Sequence, residues 1–261
     1  MQALTLPARR GWRWLSDGFA IFRRKPLMLS LAVLGYWMAM ALISAFPVIG
    51  RGAAMVLIPA FSVSLMNACR LLESSSPRPL VFAPPLLFSG FKKNLRALLK
   101  LGVIYFAFTV GVLALVALVD DGVLFRMVVL GQQQHAEVLD SDAVKLAAQL
   151  ALAFFAPLMM AYWFAPVLVA WHDLSAGKSL FFSFVACLRN WRAFLVYGAA
   201  IVSFGALLPG VLAAVLSAVL PSGGVISIML TSLLVLILLP TLYASFYVSY
   251  RDVFVTVDEN A

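Results

Sequence analysis

The chain has 261 residues, of which 64% are hydrophobic and only 11% are charged. A soluble domain carries about a quarter charged residues, because water must solvate its surface. The composition therefore excludes an ordinary soluble protein and indicates that lipid surrounds most of the surface. The net charge of +8 has to be explained in that setting.

Six apolar stretches are long enough to cross a bilayer, since about 20 helical residues span about 30 Å of hydrocarbon. They lie at 27–49, 52–70, 97–119, 146–171, 193–220 and 225–250. The second stretch is short and contains Pro59, so a hairpin that only enters the membrane is the alternative there. The predicted fold class is all-α: a polytopic membrane protein with six transmembrane helices in one integral membrane domain, residues 1–261.

Basic residues are distributed unevenly among the segments that connect these spans. If the N-terminus is cytoplasmic, 16 of the 19 Lys and Arg residues lie on the cytoplasmic side. Only Arg51, Arg126 and Lys145 then lie on the outer side. Because Lys and Arg concentrate in cytoplasmic loops, we expect both the N-terminus and the C-terminus in the cytoplasm.

A basic cytoplasmic rim attracts anionic lipid headgroups, by about 1 kcal/mol for each Lys or Arg near the surface. The positive charge therefore predicts membrane lipids as partners and gives no indication of nucleic acid. Cys69 and Cys187 both fall on the cytoplasmic side, where thiols stay reduced. They have no neighbouring ligand cluster, so neither a metal nor a cofactor is predicted.

Three segments on the cytoplasmic side precede the first, third and fifth spans. Each is typical of an amphipathic helix that lies in the membrane interface. In "GWRWLSDGFAIF", Trp12, Leu15, Phe19 and Phe22 share one helical face. The segment "SLFFSFVACLRNW" repeats that spacing, and "PPLLFSGFKKNLRALL" follows it less regularly. The repeated face consists of Phe181, Phe184, Leu188 and Trp191. We expect three cytoplasmic-side interfacial amphipathic helices.

The outer segment 120–145 is the exception among otherwise short outer turns. It includes "GQQQHAEVLDSDAVK" and is too long for a simple turn. We expect a short amphipathic helix on the outer surface there.

An internal repeat accompanies these elements. The heptad "KNLRALL" at 93–99 returns as "RNWRAFL" at 189–195, and in the same register Gly102 corresponds to Gly198 and Phe108 to Phe204. The spans that close the first and last units also correspond. These matches predict three pseudo-repeats, at about 8–70, 80–172 and 177–251, that run in the same direction.

Several stretches resemble an uncharacterised family of six-span inner-membrane proteins of Proteobacteria. They are "PARRGWRWLSDGFAIFRRKPL", "IPAFSVSLMNACRLLE", "FAPVLVAWHDL" and "SFVACLRNWRAFLVYG". The resemblance covers most of the chain and implies a multi-pass location in the bacterial inner membrane. The family has no assigned activity, so the resemblance implies no site residue.

The candidate functional residues lie where each surface segment turns into the following span. We call 23–25 the first joint, 92–96 the second joint and 189–192 the third joint. Candidate contacts to lipid headgroups are Arg23, Arg24, Lys25, Lys92, Lys93, Asn94, Arg96, Arg189, Asn190 and Arg192. In one interpretation the Arg and the Asn amide hold a lipid phosphate. In the other, the Asn caps the span while the Arg extends to the interface.

Motifs for catalysis are lacking in the sequence: it has no Gly-rich phosphate loop, nucleophile elbow or metal-binding helix motif. His172 and Asp173 are adjacent, about 100° apart on a helix, and are interpreted as a solvated helix end.

We therefore predict a protein that is not an enzyme, with a membrane-organising, assembly or lipid-interaction role. The alternative is a transporter or lipid translocator with a cavity between kinked helices. No acidic or basic residue lies near a span midplane, which disfavours ion-coupled transport. A protein partner or self-association stays open.

Overall fold

The structure is a computed structural model that describes residues 2–47, 49–73, 84–219 and 224–255. Arg78, one of the 16 basic residues predicted on the cytoplasmic side, lies outside these ranges. Within them the chain forms twelve α-helices and one antiparallel pair of two-residue strands. The helices are α1 (Arg9–Arg24), α2 (Pro26–Ser44), α3 (Gly50–Glu73), α4 (Leu95–Asp120), α5 (Val123–Phe125), α6 (Ala136–Leu139), α7 (Asp142–Trp163), α8 (Ala165–His172), α9 (Ala176–Arg189), α10 (Trp191–Val202), α11 (Leu208–Val219) and α12 (Gly224–Val253). The strands are β1 (Gln2–Ala3) and β2 (Phe254–Val255), with Gln2 opposite Val255 and Ala3 opposite Phe254.

Six helical stretches among the described residues are long and apolar enough to cross a membrane. They are Pro26–Ser44, Gly50–Glu73, Leu95–Asp120, Asp142–His172, Trp191–Leu216 and Ser232–Val253. Each corresponds to one predicted span, so the prediction of an all-α polytopic membrane protein with six spans is confirmed. The second span is a continuous helix through Pro59 rather than a shallow hairpin.

Two spans are irregular, and each irregularity lies just before a proline. The fourth span breaks between α7 and α8, where Ser183 Oγ donates to Met160 O at 2.8 Å and accepts from Phe164 N at 2.9 Å. The hydroxyl thus bridges two groups that a continuous helix would join directly. In the fifth span a π-helical turn, Ser203–Leu207, separates α10 from α11 and precedes Pro209.

The chain divides into two compact units. The first consists of 1–35, 64–87 and 186–261. Its core is built where α1 packs against α10 and α12. Trp14 is fully buried there, with its ring centroid 5.5 Å from that of Tyr197, and the Tyr197 hydroxyl lies 2.6 Å from Ser245 Oγ.

Two glycines allow the close approach of α1. A Cβ atom on Gly11 would lie 2.1 Å from Ala193 O, and one on Gly18 would lie 2.5 Å from Ser245 N. Both distances are far below van der Waals contact, so a larger residue would push α1 away from its neighbours.

The second unit consists of 36–63 and 88–185. Its main contact joins α4 to α7, where Tyr162 Oη donates to Leu101 O at 2.6 Å. Gly102 lies close to α3, because a Cβ atom there would be 1.9 Å from Val56 O. A second apolar cluster joins the far end of α4 to α5 and α7 around Val116, Val123 and Ala147.

Two of the three predicted surface segments are helical, as α1 and α9. In α1 the predicted apolar face is divided: Leu15 and Phe22 are buried, whereas Trp12 and Phe19 are exposed. The reason is that α1 packs through the face that carries Gly11, which also includes Trp14. In α9 the buried residues are small: Ala176, Ser179, Ser183, Ala186 and Cys187. The placement of both helices in the membrane interface stays a prediction.

The prediction of a third surface helix, at "PPLLFSGFKKNLRALL", is wrong. The segment before α4 forms two separate 3-10 turns, Pro84–Leu86 and Ser89–Phe91. Gly90 and the left-handed residue Asn94 lie between the apolar residues and interrupt a regular helix. Phe91 is held by an edge-on contact with Phe61, at 4.9 Å between ring centroids.

Segment 120–145 contains short helical turns, which are tied to the chain by Asp120 and Arg51, and its place on the outer surface stays a prediction. Asp120 is buried and accepts from Gly122 N at 3.0 Å and Leu124 N at 2.8 Å. Arg51 donates to Met127 O and to Gly131 O, each at 3.5 Å. The three predicted pseudo-repeats stay a prediction, since similar sequences occupy different surroundings here.

Candidate functional site

The second joint is an exposed turn held by Asn94. This residue precedes the first turn of α4 and has a left-handed conformation with φ 49° and ψ 33°. Its Nδ2 donates to Val169 O at 3.1 Å and to Asp173 Oδ1 at 2.7 Å. The joint therefore ties the start of α4 to the end of α8, and a carboxylate is part of it.

The third joint is held by Asn190, which is only 1% exposed. Its Oδ1 accepts from Leu6 N at 2.8 Å, and its Nδ2 donates to Leu4 O at 2.8 Å and Ala186 O at 2.9 Å. Beside it, Arg189 Nη2 donates to Thr5 Oγ1 at 3.2 Å. Asn190 thus fastens the N-terminal arm, residues 2–7, to the turn between α9 and α10.

The first joint connects α1 directly to α2. The Arg23 guanidinium lies 5.2 Å from the centroid of the Phe19 ring, in a cation–π arrangement. Arg24 Nη1 donates to Leu72 O at 3.4 Å, next to the end of α3. Lys25 separates the two helices.

The basic side chains of the three joints are exposed and carry uncompensated charge. They are Arg23, Arg24, Lys25, Lys92, Lys93, Arg96, Arg189 and Arg192. Within the described part of the chain, none of them forms an ion pair. Three cations elsewhere do: Arg10 pairs with Asp252, Arg251 with Glu73, and Lys145 with Asp140.

The structure corrects both interpretations of the two asparagines. Asn94 and Asn190 each stand at the N-cap position of a span, but neither side chain accepts from the first helical turn. The prediction that they cap the spans through their side chains is therefore wrong. The prediction of a phosphate-donating amide is also wrong for Asn190, because the residue is buried and both amide hydrogens are used. The Asn94 amide likewise already donates to two protein oxygens.

A polar cluster at the end of α12 was not predicted from the sequence. Glu73 Oε2 accepts from Tyr247 Oη at 2.7 Å, and the Glu73 carboxylate pairs with Arg251. Glu73 and Arg251 both follow long apolar stretches, and this position at the end of a span was the one sequence feature that could have indicated the cluster. Their partnership depends on bringing the ends of α3 and α12 together.

Asp252 continues this cluster toward α1. Its Oδ2 accepts from Trp14 Nε1 at 2.9 Å and pairs with Arg10, while its Oδ1 lies 3.7 Å from Arg251 Nη2. The cluster fastens α1 to α12 and neutralises its own charges. It therefore holds the first unit together and presents little charge to a ligand.

The remaining candidates have ordinary surroundings. Asp173 is exposed and ends α8 in a left-handed conformation, and the half-buried His172 precedes it. Cys69 and Cys187 are buried, and neither forms a disulfide among the described residues. Among the described residues, no group of three or more His, Cys, Asp or Glu side chains could hold a metal ion.

Six apolar helical spans among the described residues define the class: a polytopic α-helical membrane protein. The chain is 38% identical to a probable inner membrane protein of Burkholderia thailandensis, over 97% of this chain and 94% of that protein. It therefore belongs to the family of that protein and is an integral, multi-pass inner-membrane protein. No family model matches the chain. No solved structure matches it either.

Proposed function

We propose that the protein is a non-catalytic inner-membrane protein whose basic joints bind anionic lipid headgroups and thereby organise or assist membrane components. One observation carries the proposal. Eight cations stand exposed at the joints without an ion pair among the described residues, while Arg10, Arg251 and Lys145 are paired elsewhere.

Unpaired arginines at a membrane surface favour this function for two reasons. Each basic residue near an anionic surface contributes about 1 kcal/mol of attraction, and no carboxylate partner offsets it. The guanidinium group also presents a planar set of donors that matches the oxygens of a phosphate.

The proposal includes a cytoplasmic location for all three joints and for both termini. Contacts within each unit support the assignment of these segments to one side of the membrane. In the first unit Arg24 reaches Leu72, and the arm at Leu4 and Leu6 reaches Asn190. In the second unit Asn94 reaches Asp173, and every one of these residues belongs to the predicted cytoplasmic set.

The predicted outer residues also contact one another. Arg51 donates to the backbone of Met127 and Gly131, and all three belong to the predicted outer side. A mixed contact between the two sets would have opposed the scheme. Which set faces the cytoplasm is proposed from the excess of basic residues alone.

Lipid analysis of the purified full-length protein tests the proposed function. We expect anionic phospholipids to be enriched over bulk membrane composition when the protein is extracted in mild detergent and its lipids are measured by mass spectrometry. A variant in which the eight joint cations are replaced by Gln should lose most of that enrichment. Equal lipid composition around both proteins would refute lipid binding by the joints.

Reporter fusions test the orientation separately. A reporter that is active only in the cytoplasm should be active when inserted in 172–180 and inactive when inserted in 120–145. Activity from the 120–145 insertion would overturn the proposed orientation. The two insertion sites serve as controls for each other because each range lies for the most part between successive spans.

A further inference from the structure

The third joint differs from the other two in how its basic groups are arranged. Arg189 belongs to the last turn of α9 and Arg192 to the first turn of α10, so the two flank a single turn. The Arg192 guanidinium lies 5.3 Å from the centroid of the Trp191 ring, and Trp191 is half exposed. Arg189 is held by Thr5 Oγ1 at 3.2 Å. Both guanidinium groups are therefore positioned by neighbours that carry no charge.

The hydrogen-bonded partners of the third joint include no carboxylate, in contrast to those of the second joint. Asn94 of the second joint hydrogen-bonds the Asp173 carboxylate, whereas the partners of Asn190 are backbone groups of Leu4, Leu6 and Ala186. Within the described residues, no carboxylate pairs with Arg189 or Arg192. A bound anion would therefore meet two cations and no opposing acid.

The start of α10 adds a weaker attraction. The Asn190 side chain is used by the N-terminal arm and does not cap the helix. Unsatisfied N–H groups in the first turn of a helix favour a nearby anion, and α10 begins between the two arginines.

Exposed apolar side chains flank the site. Leu188 is 52% exposed and Leu195 is 63% exposed, and they lie on either side of Trp191 along the chain. Free inorganic phosphate has no apolar part that could contact these side chains. A phospholipid could contact them, because its acyl chains are attached to the same molecule as the phosphodiester.

We propose that Arg189 and Arg192 form a discrete binding site for the phosphodiester group of an anionic phospholipid, with Trp191 packed against its glycerol region. The inference rests on the proposed function and narrows it: one joint selects a lipid, while the other basic residues attract the anionic surface only diffusely.

Native mass spectrometry of the full-length protein in detergent, titrated with phosphatidylglycerol, tests this site. We expect Arg189→Gln or Arg192→Gln to weaken the tightest binding event about tenfold, as expected for the loss of one hydrogen bond to a charged group. Arg192→Lys should also weaken this binding event, because Lys keeps the positive charge but lacks the planar pair of guanidinium donors that can bind two phosphate oxygens. All of these positions are exposed, so the fold should tolerate the changes.

The second joint provides the matched control. The Lys93→Gln/Arg96→Gln variant removes the same charge as Arg189→Gln/Arg192→Gln, at the corresponding place in the repeat. We expect less than a threefold change in the tightest event for the control and about 100-fold for the third-joint variant. Equal losses in both variants would show that net charge alone determines binding, and would overturn the site.

Further outcomes distinguish a lipid phosphodiester from free phosphate as the ligand, and distinguish failure of this site from failure of the proposed function. Displacement of phosphatidylglycerol by an equal concentration of inorganic phosphate would overturn a lipid site; we expect no displacement. Enrichment of anionic lipid in the wild type, with no difference between the two double variants, would reject this site while leaving the proposed function intact. Lack of enrichment in the wild type would reject both.

Discussion

The second and third joints begin with nearly the same heptad, yet the structure gives them opposite surroundings. Asn94 is exposed and left-handed and bonds a carboxylate, whereas Asn190 is buried and bonds three backbone groups. Eight residues after each Asn the contrast reverses. A Cβ atom on Gly102 would lie 1.9 Å from Val56 O, but one on Gly198 would meet nothing within 4 Å.

This reversal shows what a repeated sequence does and does not specify. Both heptads start an apolar span, so they specify the same local element. Packing of the two spans differs: 28% of the third span is buried within the protein, against 11% of the fifth. The heptad therefore fixes where a span begins, and the neighbouring helices determine which of its residues become structural.

The largest expected effect concerns the two glycines. Gly102→Ala should destabilise the protein by about 3 kcal/mol, because the added methyl overlaps a backbone oxygen and α4 must move away from α3. Gly198→Ala should be neutral or stabilising by up to about 1 kcal/mol, since Ala favours a helix over Gly. Thermal unfolding in detergent can be followed with a thiol-reactive dye that labels the buried Cys69 and Cys187. A similar Tm for the two variants would contradict the comparison.

For the asparagines, substitution in the third joint should destabilise the protein more than substitution in the second joint. Asn190→Ala should cost about 2 kcal/mol, because Leu4 O and Leu6 N lose their partner. The N-terminal arm should also become sensitive to limited proteolysis. Asn94→Ala serves as the control: it removes two hydrogen bonds at an exposed turn and should leave the arm protected. Loss of arm protection in Asn94→Ala, with none in Asn190→Ala, would refute the assignment of the arm to the third joint.

The backbone at Asn94 offers a finer test. Its positive φ favours Gly over Ala, so Asn94→Gly should be more stable than Asn94→Ala by about 1 kcal/mol. At Asn190, which has φ −106°, the same pair of substitutions should not favour Gly in this way. Tm values for the four variants, measured side by side, check this difference. The conclusion about backbone strain fails if Gly gives no advantage at 94.

The smallest expected effect tests the charge difference between the joints. Asp173→Asn removes the carboxylate from the second joint and should strengthen its attraction for phosphatidylglycerol about fivefold, as expected for one charge near the surface. Asp140→Asn, which lies on the predicted outer side, is the control. Native mass spectrometry measures how much phosphatidylglycerol each variant retains. An equal increase in both variants would contradict the prediction.

Much of the fold was predictable because it depends on local composition. The six spans and the helices α1 and α9 follow from runs of apolar residues and from their spacing. The candidate cations are exposed, and their contact with lipid headgroups stays a prediction. The surface helix before α4 was predicted wrongly, since the apolar spacing around Phe91 was given more weight than Gly90 and Asn94.

The long-range contacts could not be predicted in the same way. Nothing near Trp14 in the sequence indicates that its indole donates to Asp252, and nothing near Asn190 indicates that it binds Leu4. Both contacts join residues from opposite ends of the chain. The buried face of α1 was misplaced for the same reason, because its partners on α10 and α12 determine which side becomes the interior.

By itself, the sequence determined the solvent, the number of spans and the uneven distribution of charge, because hydrophobic length and basic residues act without regard to neighbours. The tertiary structure decided which Asn is a buried anchor, which Gly is a contact point and which pair of arginines is left without a counter-charge. Those outcomes depend on what packs against each residue, and two copies of one heptad can differ in all of them.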